Sequence, residues 1–382
     1  MLRSVMTLLL GSGLAQLGPL VFGPVLSRLY GPEVFGLFHV ASAVGANVAV
    51  VACARYEFAL PMAADEAEAR ALRGLCVRIL CGVTLLCLVG AGGAAWWWQA
   101  TWPLAVPAMV AASGALSLWT LEATRQQRYT PLASARVVQF WGCGAVQSLW
   151  GWVHAGLWGL LVGPVLAAAV AAWGLWRTAT REQHGDERRA PHRAQEREDQ
   201  LAAARRHKDF PLLNTPHAFL GGLQDTLSIA LIAWAAGPAA AGVWGLALRY
   251  LKAPATLAGG AVSQVLYPRL SEAQRASDSM KEQRRVMSTL MAGLIATGAA
   301  LGLAVYAFSG WALPALLGPG WEASGAVGQG LALYIAVHFV ASPLGVATMA
   351  WRAQAWALRV AMVGQLLFLG ALVAGLMSGP SE

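Results

Sequence analysis

The stretch LRGLCVRILCGVTLLCLVGAGGAAWWWQATWPLAVPAMVAASGALSLWTLEATR (72–125) decides the fold. It holds no charged residue between Arg78 and Glu122. The run is interrupted midway by Gln99, Thr101 and Pro103. It reads as two spanning helices, at 74–94 and 103–124, because roughly 20 apolar residues cross a bilayer core. Arginines stand at both far ends, and Trp96, Trp97, Trp98 and Trp102 crowd the turn between them. Indole favours the headgroup layer, and Lys and Arg favour the cytoplasmic side. The hairpin therefore enters from the cytoplasm and returns to it.

The same alternation runs outward through the whole chain. We read about eleven spans, at 7–29, 35–54, 74–94, 103–124, 132–152, 156–176, 211–236, 241–267, 287–309, 327–350 and 356–377. One set of gaps holds Arg55, Arg70, Arg73 and Arg78, then Arg125, Arg128 and Arg136, then the run from Arg177 to Lys208, and later Arg269 to Arg285 and Arg352. The other set, around WWWQATWP, WGWVHAG, AAGPAAAG and SGWALPALLGPGWEASG, has no Lys or Arg. The first set and the N-terminus are assigned to the cytoplasm. The first twenty residues read as a spanning helix, since no small-residue cleavage site precedes spanning length. The tryptophans of the outer turns, Trp150, Trp152, Trp311 and Trp321 among them, read as interfacial anchors.

Composition agrees. Of 382 residues, 57% are hydrophobic and 12% charged, where a soluble domain carries about a quarter charged. The net charge of +8 would raise nucleic-acid binding in a soluble protein. Here topology accounts for the basic excess, so no nucleic-acid partner is expected. The fold class is all-α, a polytopic membrane protein of two helical bundles, six spans and five. Residues 1–177 form the first lobe, 178–208 a charged cytoplasmic linker, and 209–382 the second lobe. A solvated linker is the default for 178–208, with contact to anionic membrane lipids as a weaker option.

No catalytic constellation is present. There is no nucleophile elbow, phosphate-binding loop or HExxH, and His39, His154, His217 and His338 are scattered, so the chain is not expected to be an enzyme. Cys53, Cys76, Cys81, Cys87 and Cys143 show no CxxC spacing and read as packing residues. No metal or cofactor is expected.

Two outer turns repeat. LYGPEVFGLF (29–38) and AAGPAAAGVWGL (235–246) both place Gly-Pro before a second Gly, at Gly31, Pro32, Gly36 and at Gly237, Pro238, Gly242. Each falls one span into its half. Two parallel halves would put a substrate site at their interface.

Polar residues recur at helical spacing. Gln16 lies on the first helix, Asn214, Gln224 and Asp225 on the seventh, and Arg249, Lys252 and Thr256 on the eighth. Such faces turn to neighbouring helices or to a water-filled cavity. For the uncharged positions helix–helix packing is the simpler account. Arg249 lies on the order of 12 Å into the membrane by helical rise, where a cation needs water, a partner or a ligand. An anionic substrate group such as a pyrophosphate meets that need, and so does a structural pair with Asp225. Arg28 ends the first helix on the outer side, against the charge rule. Asp225 and Glu57 are candidates for coupling to Na+ or H+.

SRLYGPEVFGLF (27–38), RYEFALPMAADEAEA (55–69), KDFPLLNTPHAFL (208–220), AGVWGLALRYLKAPATLAGGAVSQVLYPRL (241–270) and LLGPGWEASG (316–325) together resemble the bacterial oligosaccharide flippases. These are the O-antigen and capsule translocases, which share a two-bundle fold with multidrug exporters. The resemblance implies two lobes around a central cationic cavity and alternating access. It implies transport of an undecaprenyl-pyrophosphate-linked oligosaccharide across the bacterial inner membrane, alongside polysaccharide polymerase and assembly proteins. It also implies that Arg28, Arg55 and Arg249, with Lys252 beside the last, face the pyrophosphate. Gln16, Asn214, Gln224 and Thr256 would line the path. Family members usually have twelve or more helices, so the second lobe is expected to lack its last helix. The rivals are a cation-coupled multidrug exporter of the same fold, an inactive truncated member, a membrane enzyme such as a polysaccharide polymerase, and a scaffold.

Overall fold

The computed structural model describes residues 2–180, 193–275, 280–350 and 354–378. Within these, the side chains of 2–10, 12, 193–197, 256–275, 280–287, 289, 290, 343–350, 354–358 and 361 lie outside the description. The helices in chain order are α1 (Leu2–Leu29), α2 (Pro32–Ala49), α3 (Glu66–Trp98), α4 (Ala105–Arg125), α5 (Tyr129–Val137), α6 (Cys143–Val153), α7 (Leu157–Thr180), α8 (Arg193–Arg206), α9 (Thr215–Arg275), α10 (Met280–Leu317), α11 (Ala323–Ala350) and α12 (Gln354–Ser378). No strand occurs among the described residues. Lipid permits little else, since every backbone N–H and C=O in hydrocarbon must be satisfied within its own segment.

All eleven predicted spans fall on helix, although α2 stops at Ala49, five residues before its predicted end. The fifth span is α5 and α6 joined through a wide π-type turn at Val138–Gly142. The seventh and eighth spans run together in α9 and are parted at Gly237 (φ 86°, ψ 164°), a conformation open to glycine but strained for other residues. Among the described residues, six segments are long and apolar enough to cross a membrane, the one at Phe210–Ala255 covering the seventh span and the first part of the eighth. Met362–Ser378 is a shorter apolar helix.

The chain divides into two compact units. The first comprises Met1–Tyr30 and Leu37–Ala230, and the second Gly31–Gly36 and Leu231–Glu382. In the first unit, Leu72, Cys76 and Leu80 of α3 pack with Val110 and Leu118 of α4 and with Leu60. Ala112, Leu116 and Ala123 of α4 pack with Leu132, Ala168, Ala172 and Leu175.

The arginines between α3 and α4 are paired rather than merely solvated. Glu122 is fully buried. Its carboxylate accepts from Arg73 Nη1 at 2.8 Å, Arg125 Nη2 at 2.8 Å and Gln126 Nε2 at 2.6 Å. Glu66 bridges the same two arginines. At the head of α3, Asp65 caps the Glu68 N–H, and Glu68 reaches back to the Ala64 N–H, both at 2.8 Å. Glu68 also receives Arg206 Nη1 at 2.8 Å. Thus α8, from the segment expected as a solvated linker, is docked. Ala203 and Gln200 are buried, and Ala203 joins the α3–α4 core.

In the second unit, α10 and α11 form a tight hairpin. A Cβ on Gly302 would lie 2.8 Å from that of Ala336, a close approach that small residues allow in membranes. The turn between them holds Gly318 (φ 95°) and Gly320 (φ 84°) and buries Trp321 completely. Phe35 meets Trp321 edge-on at 5.3 Å. The reading of Trp321 as a headgroup anchor is therefore corrected. Its ring fills a core pocket made by the turn, whereas Trp96, Trp97, Trp152 and Trp311 are exposed as expected.

The two repeated Gly-Pro turns touch. A Cβ on Gly36 would overlap the Pro238 carbonyl, and one on Gly242 would overlap the Pro32 carbonyl. Each glycine seats the other turn's proline, so the repeat is a reciprocal contact.

Gly36→Val and Gly242→Val should each cost about 1–3 kcal/mol or more through overpacking. This is read as a lowered melting temperature in detergent. Gly82→Ala, where an added Cβ meets nothing within 4 Å, should leave it unchanged. Glu122→Ala should cost about 3–5 kcal/mol by the same measurement, because it strips a buried partner from Arg73 and Arg125.

Candidate functional site

The site begins where α2 unwinds. After Ala49 the chain turns through residues 50–54, and Ala54 (φ 49°) and Arg55 (φ 62°) both adopt the left-handed conformation. Such positions cost about 1–3 kcal/mol each for residues with a side chain. The 3-10 turn Tyr56–Met62 that follows holds them in place. Tyr56, Glu57, Ala59 and Leu60 are buried, and the Tyr56 hydroxyl donates to the Ala204 carbonyl of α8 at 3.3 Å.

The twist aims Arg55 back across its own turn. Its guanidinium carbon lies 4.3 Å from the centre of the Phe58 ring. Its Nε donates to Asn214 Oδ1 at 3.3 Å. Asn214 is placed by a wide π-type turn, Phe210–Asn214, at the head of α9. Pro211 there cannot donate to the helical ladder, and the Thr215 hydroxyl donates to the Phe210 carbonyl at 3.2 Å. The structure thus brings together two of the sequence-selected residues, Arg55 and Asn214.

Glu57 is 2% exposed. Burial raises its pKa above the ordinary carboxylate value, opposed by its own backbone N–H, the charge of Arg55 and the Ser117 hydroxyl. Its Oε2 has no hydrogen-bond partner. Arg55 makes its contacts with Phe58 and Asn214. Cys53, Glu57 and Cys76 place one potential metal-ligand atom each within 4.8 Å of one another.

In the second unit, α9 carries Arg249 and Lys252. Ala247 and Leu251 face the core made with Leu313, Leu331 and Ile335, while Arg249 is exposed and Lys252 half-buried. Lys252 Nζ lies 5.3 Å from the centre of the Tyr334 ring. Tyr334 stacks on His338 at 5.6 Å and meets Phe368 of α12 at 6.1 Å. A cation over an aromatic face gains about 0.5–2 kcal/mol. Among the described residues neither Arg55 nor Lys252 has a carboxylate within ion-pair distance. Both charges lie against aromatic rings.

The remaining residues are dispersed. Arg28 is exposed and donates from Nη1 to the Pro24 carbonyl one turn back, at 2.8 Å. Gln16 is exposed on α1, and Asp225 is exposed on α9. Gln224 is half-buried, and its backbone carbonyl accepts the Ser228 hydroxyl at 2.7 Å. The side chain of Thr256 lies outside the described residues. Gln147, on a polar stripe of the fifth span, is buried. Its Nε2 donates to the Leu160 carbonyl at 2.7 Å and its own carbonyl accepts the Tyr30 hydroxyl at 2.8 Å, which is packing, as the simpler account held.

Sequence reasoning missed Phe58, Tyr334, His338 and Phe368 as partners of the cations. Phe58, three residues from Arg55, carried a local signal. Nothing in the sequence marked Tyr334 for Lys252.

Fold and site define an all-helical, multi-pass membrane protein with cations presented on aromatic rings. A family described as polysaccharide biosynthesis protein matches residues 25–326. That is well over half of the chain, so the chain belongs to this family and takes part in polysaccharide synthesis or transport. Among curated proteins and among solved structures, none matches this chain.

Asn214→Ala should cost less than about 1 kcal/mol, the net worth of an ordinary hydrogen bond, because Phe58 still holds Arg55. Thermal melting of the purified variant checks this.

Proposed function

We propose that this protein is a flippase. It carries an undecaprenyl-pyrophosphate-linked oligosaccharide across the bacterial cytoplasmic membrane for surface polysaccharide such as O-antigen or capsule, and makes or breaks no covalent bond. The observation that carries this reading is the pair of cations, Arg55 and Lys252, held on aromatic faces without carboxylate partners. A half-buried cation on an aromatic face can offer its charge to a ligand, and a planar guanidinium suits phosphate oxygens. Membership of the polysaccharide biosynthesis family supports a glycan-bearing substrate.

On this reading Arg28, Arg55, Arg249 and Lys252 hold the pyrophosphate at successive stages of alternating access. Gln16, Asn214, Gln224 and Thr256 line the glycan path. Coupling to Na+ or H+ falls to Asp225 or Glu57. The N-terminus lies in the cytoplasm, and polymerase or assembly proteins receive the flipped product. A multidrug exporter of cationic drugs would instead want carboxylates where this chain has unpaired cations.

The test is the leaflet distribution of lipid-linked oligosaccharide in a deletion strain, with and without this chain restored. Restoration should clear substrate from the cytoplasmic leaflet. Arg55→Ala and Arg249→Ala should each slow clearance roughly 10- to 100-fold, the kinetic equivalent of losing about 1.5–3 kcal/mol of charge-assisted hydrogen bonding. Their membrane levels should match wild type. Full activity of both variants would refute the assignment.

A further inference from the structure

We propose that Cys53, Glu57 and Cys76 form a zinc-class metal site that pins the turn carrying Arg55 to α3. The inference stands apart from the flippase reading. It rests on a cluster that sequence spacing gave no reason to expect. Cys53 and Glu57 flank the left-handed pair Ala54 and Arg55, and Cys76 comes from the third turn of α3. All three are buried, at 1%, 2% and 0% exposure. Their ligand atoms lie within 4.8 Å of one another.

An apolar core does not account for this set. Ala52, Ala59, Leu60, Leu72, Leu80 and Val110 pack around the sulfurs, where an unpaired polar oxygen costs about 1–3 kcal/mol. Yet Glu57 Oε2 is buried there with no partner. A cation bound at that oxygen removes the penalty. Two thiolates and one carboxylate are a donor set for zinc, whose tetrahedral sites take sulfur and oxygen together, with a water as fourth ligand. Donors around a tetrahedral zinc sit on the order of 3.5–4 Å apart, so the three side chains need only small rotations to close on one ion. Two thiolates, one carboxylate and a divalent cation leave a single negative charge. Arg55, whose charge already acts on Glu57, offsets it.

The bound ion would act on the geometry of the backbone. Both ends of the strained segment, Cys53 and Glu57, would be tied to one point on α3, holding Ala54 and Arg55 in conformations that cost free energy. Glu57 then becomes a ligand and not a coupling carboxylate, which leaves Asp225 for that task.

The test uses the full chain purified in detergent without chelator, analysed for zinc, then stripped and titrated with Co2+. The expected result is stoichiometric zinc and, on reloading, the thiolate-to-cobalt charge-transfer absorption of a tetrahedral site. Cys53→Ser and Cys76→Ser should abolish the absorption, and Glu57→Gln should weaken cobalt binding at least roughly tenfold. The combined variant Cys81→Ser, Cys87→Ser, Cys143→Ser should keep the full signal, and it decides the matter even if the core variants fail to fold. A folded, stripped wild type that shows no charge-transfer absorption overturns the proposal. So does a signal lost with the other three cysteines, or a non-reduced mass showing a Cys53–Cys76 disulfide.

Discussion

In hydrocarbon a backbone amide has no solvent to fall back on, and the rest of this structure depends on that constraint. It makes the chain helical wherever it crosses. It also confines every irregularity to a place where another group can make good the broken ladder. The π-type turn at Phe210–Asn214 is repaired by the Thr215 hydroxyl. The break after Ala49 falls in the stretch that the positive-inside reading assigns to the cytoplasmic face, beside the docked helix α8. Departures from regular helix are therefore where side chains with chemistry are found, and Arg55 and Asn214 each sit at one.

Charge obeys the same logic. Arg73 and Arg125 are neutralised by Glu66 and the buried Glu122 and serve to join α3 to α4. Arg206 and His207 are spent on Glu68. Against that background Arg55, Arg177 and Lys252 lie on aromatic rings, those of Phe58, Trp173 and Tyr334. A ring lowers the cost of holding a cation out of bulk water without cancelling its field.

Much of the architecture was legible in the sequence. The apolar runs, the alternating arginines and the Trp-rich turns placed all eleven helical segments, because span length and charge asymmetry are properties of single segments. The Gly-Pro repeat was visible too, though as similarity and not as contact. What stayed hidden depends on partners far apart in sequence. The pairing of Arg73 with Glu122, the burial of Trp321 under Phe35, the docking of α8 and the Tyr334 platform under Lys252 are tertiary facts. The short end of α2 was missed because the residues after Ala49 are as apolar as a helix. Only burial of the next turn shows why the chain prefers a costly left-handed step there. Of the selected site residues, Arg55 and Asn214 meet, while the others lie on separate faces or in separate units.

The crossing of the two Gly-Pro turns has a consequence for how the protein is made. Gly31–Gly36 leaves the ribosome early but packs with a segment about 200 residues downstream. At ordinary elongation rates that interval is roughly 10–40 s. Throughout it the first Gly-Pro turn lacks the segment that packs against its glycine. The nascent chain must tolerate this half-built edge until the second Gly-Pro turn arrives.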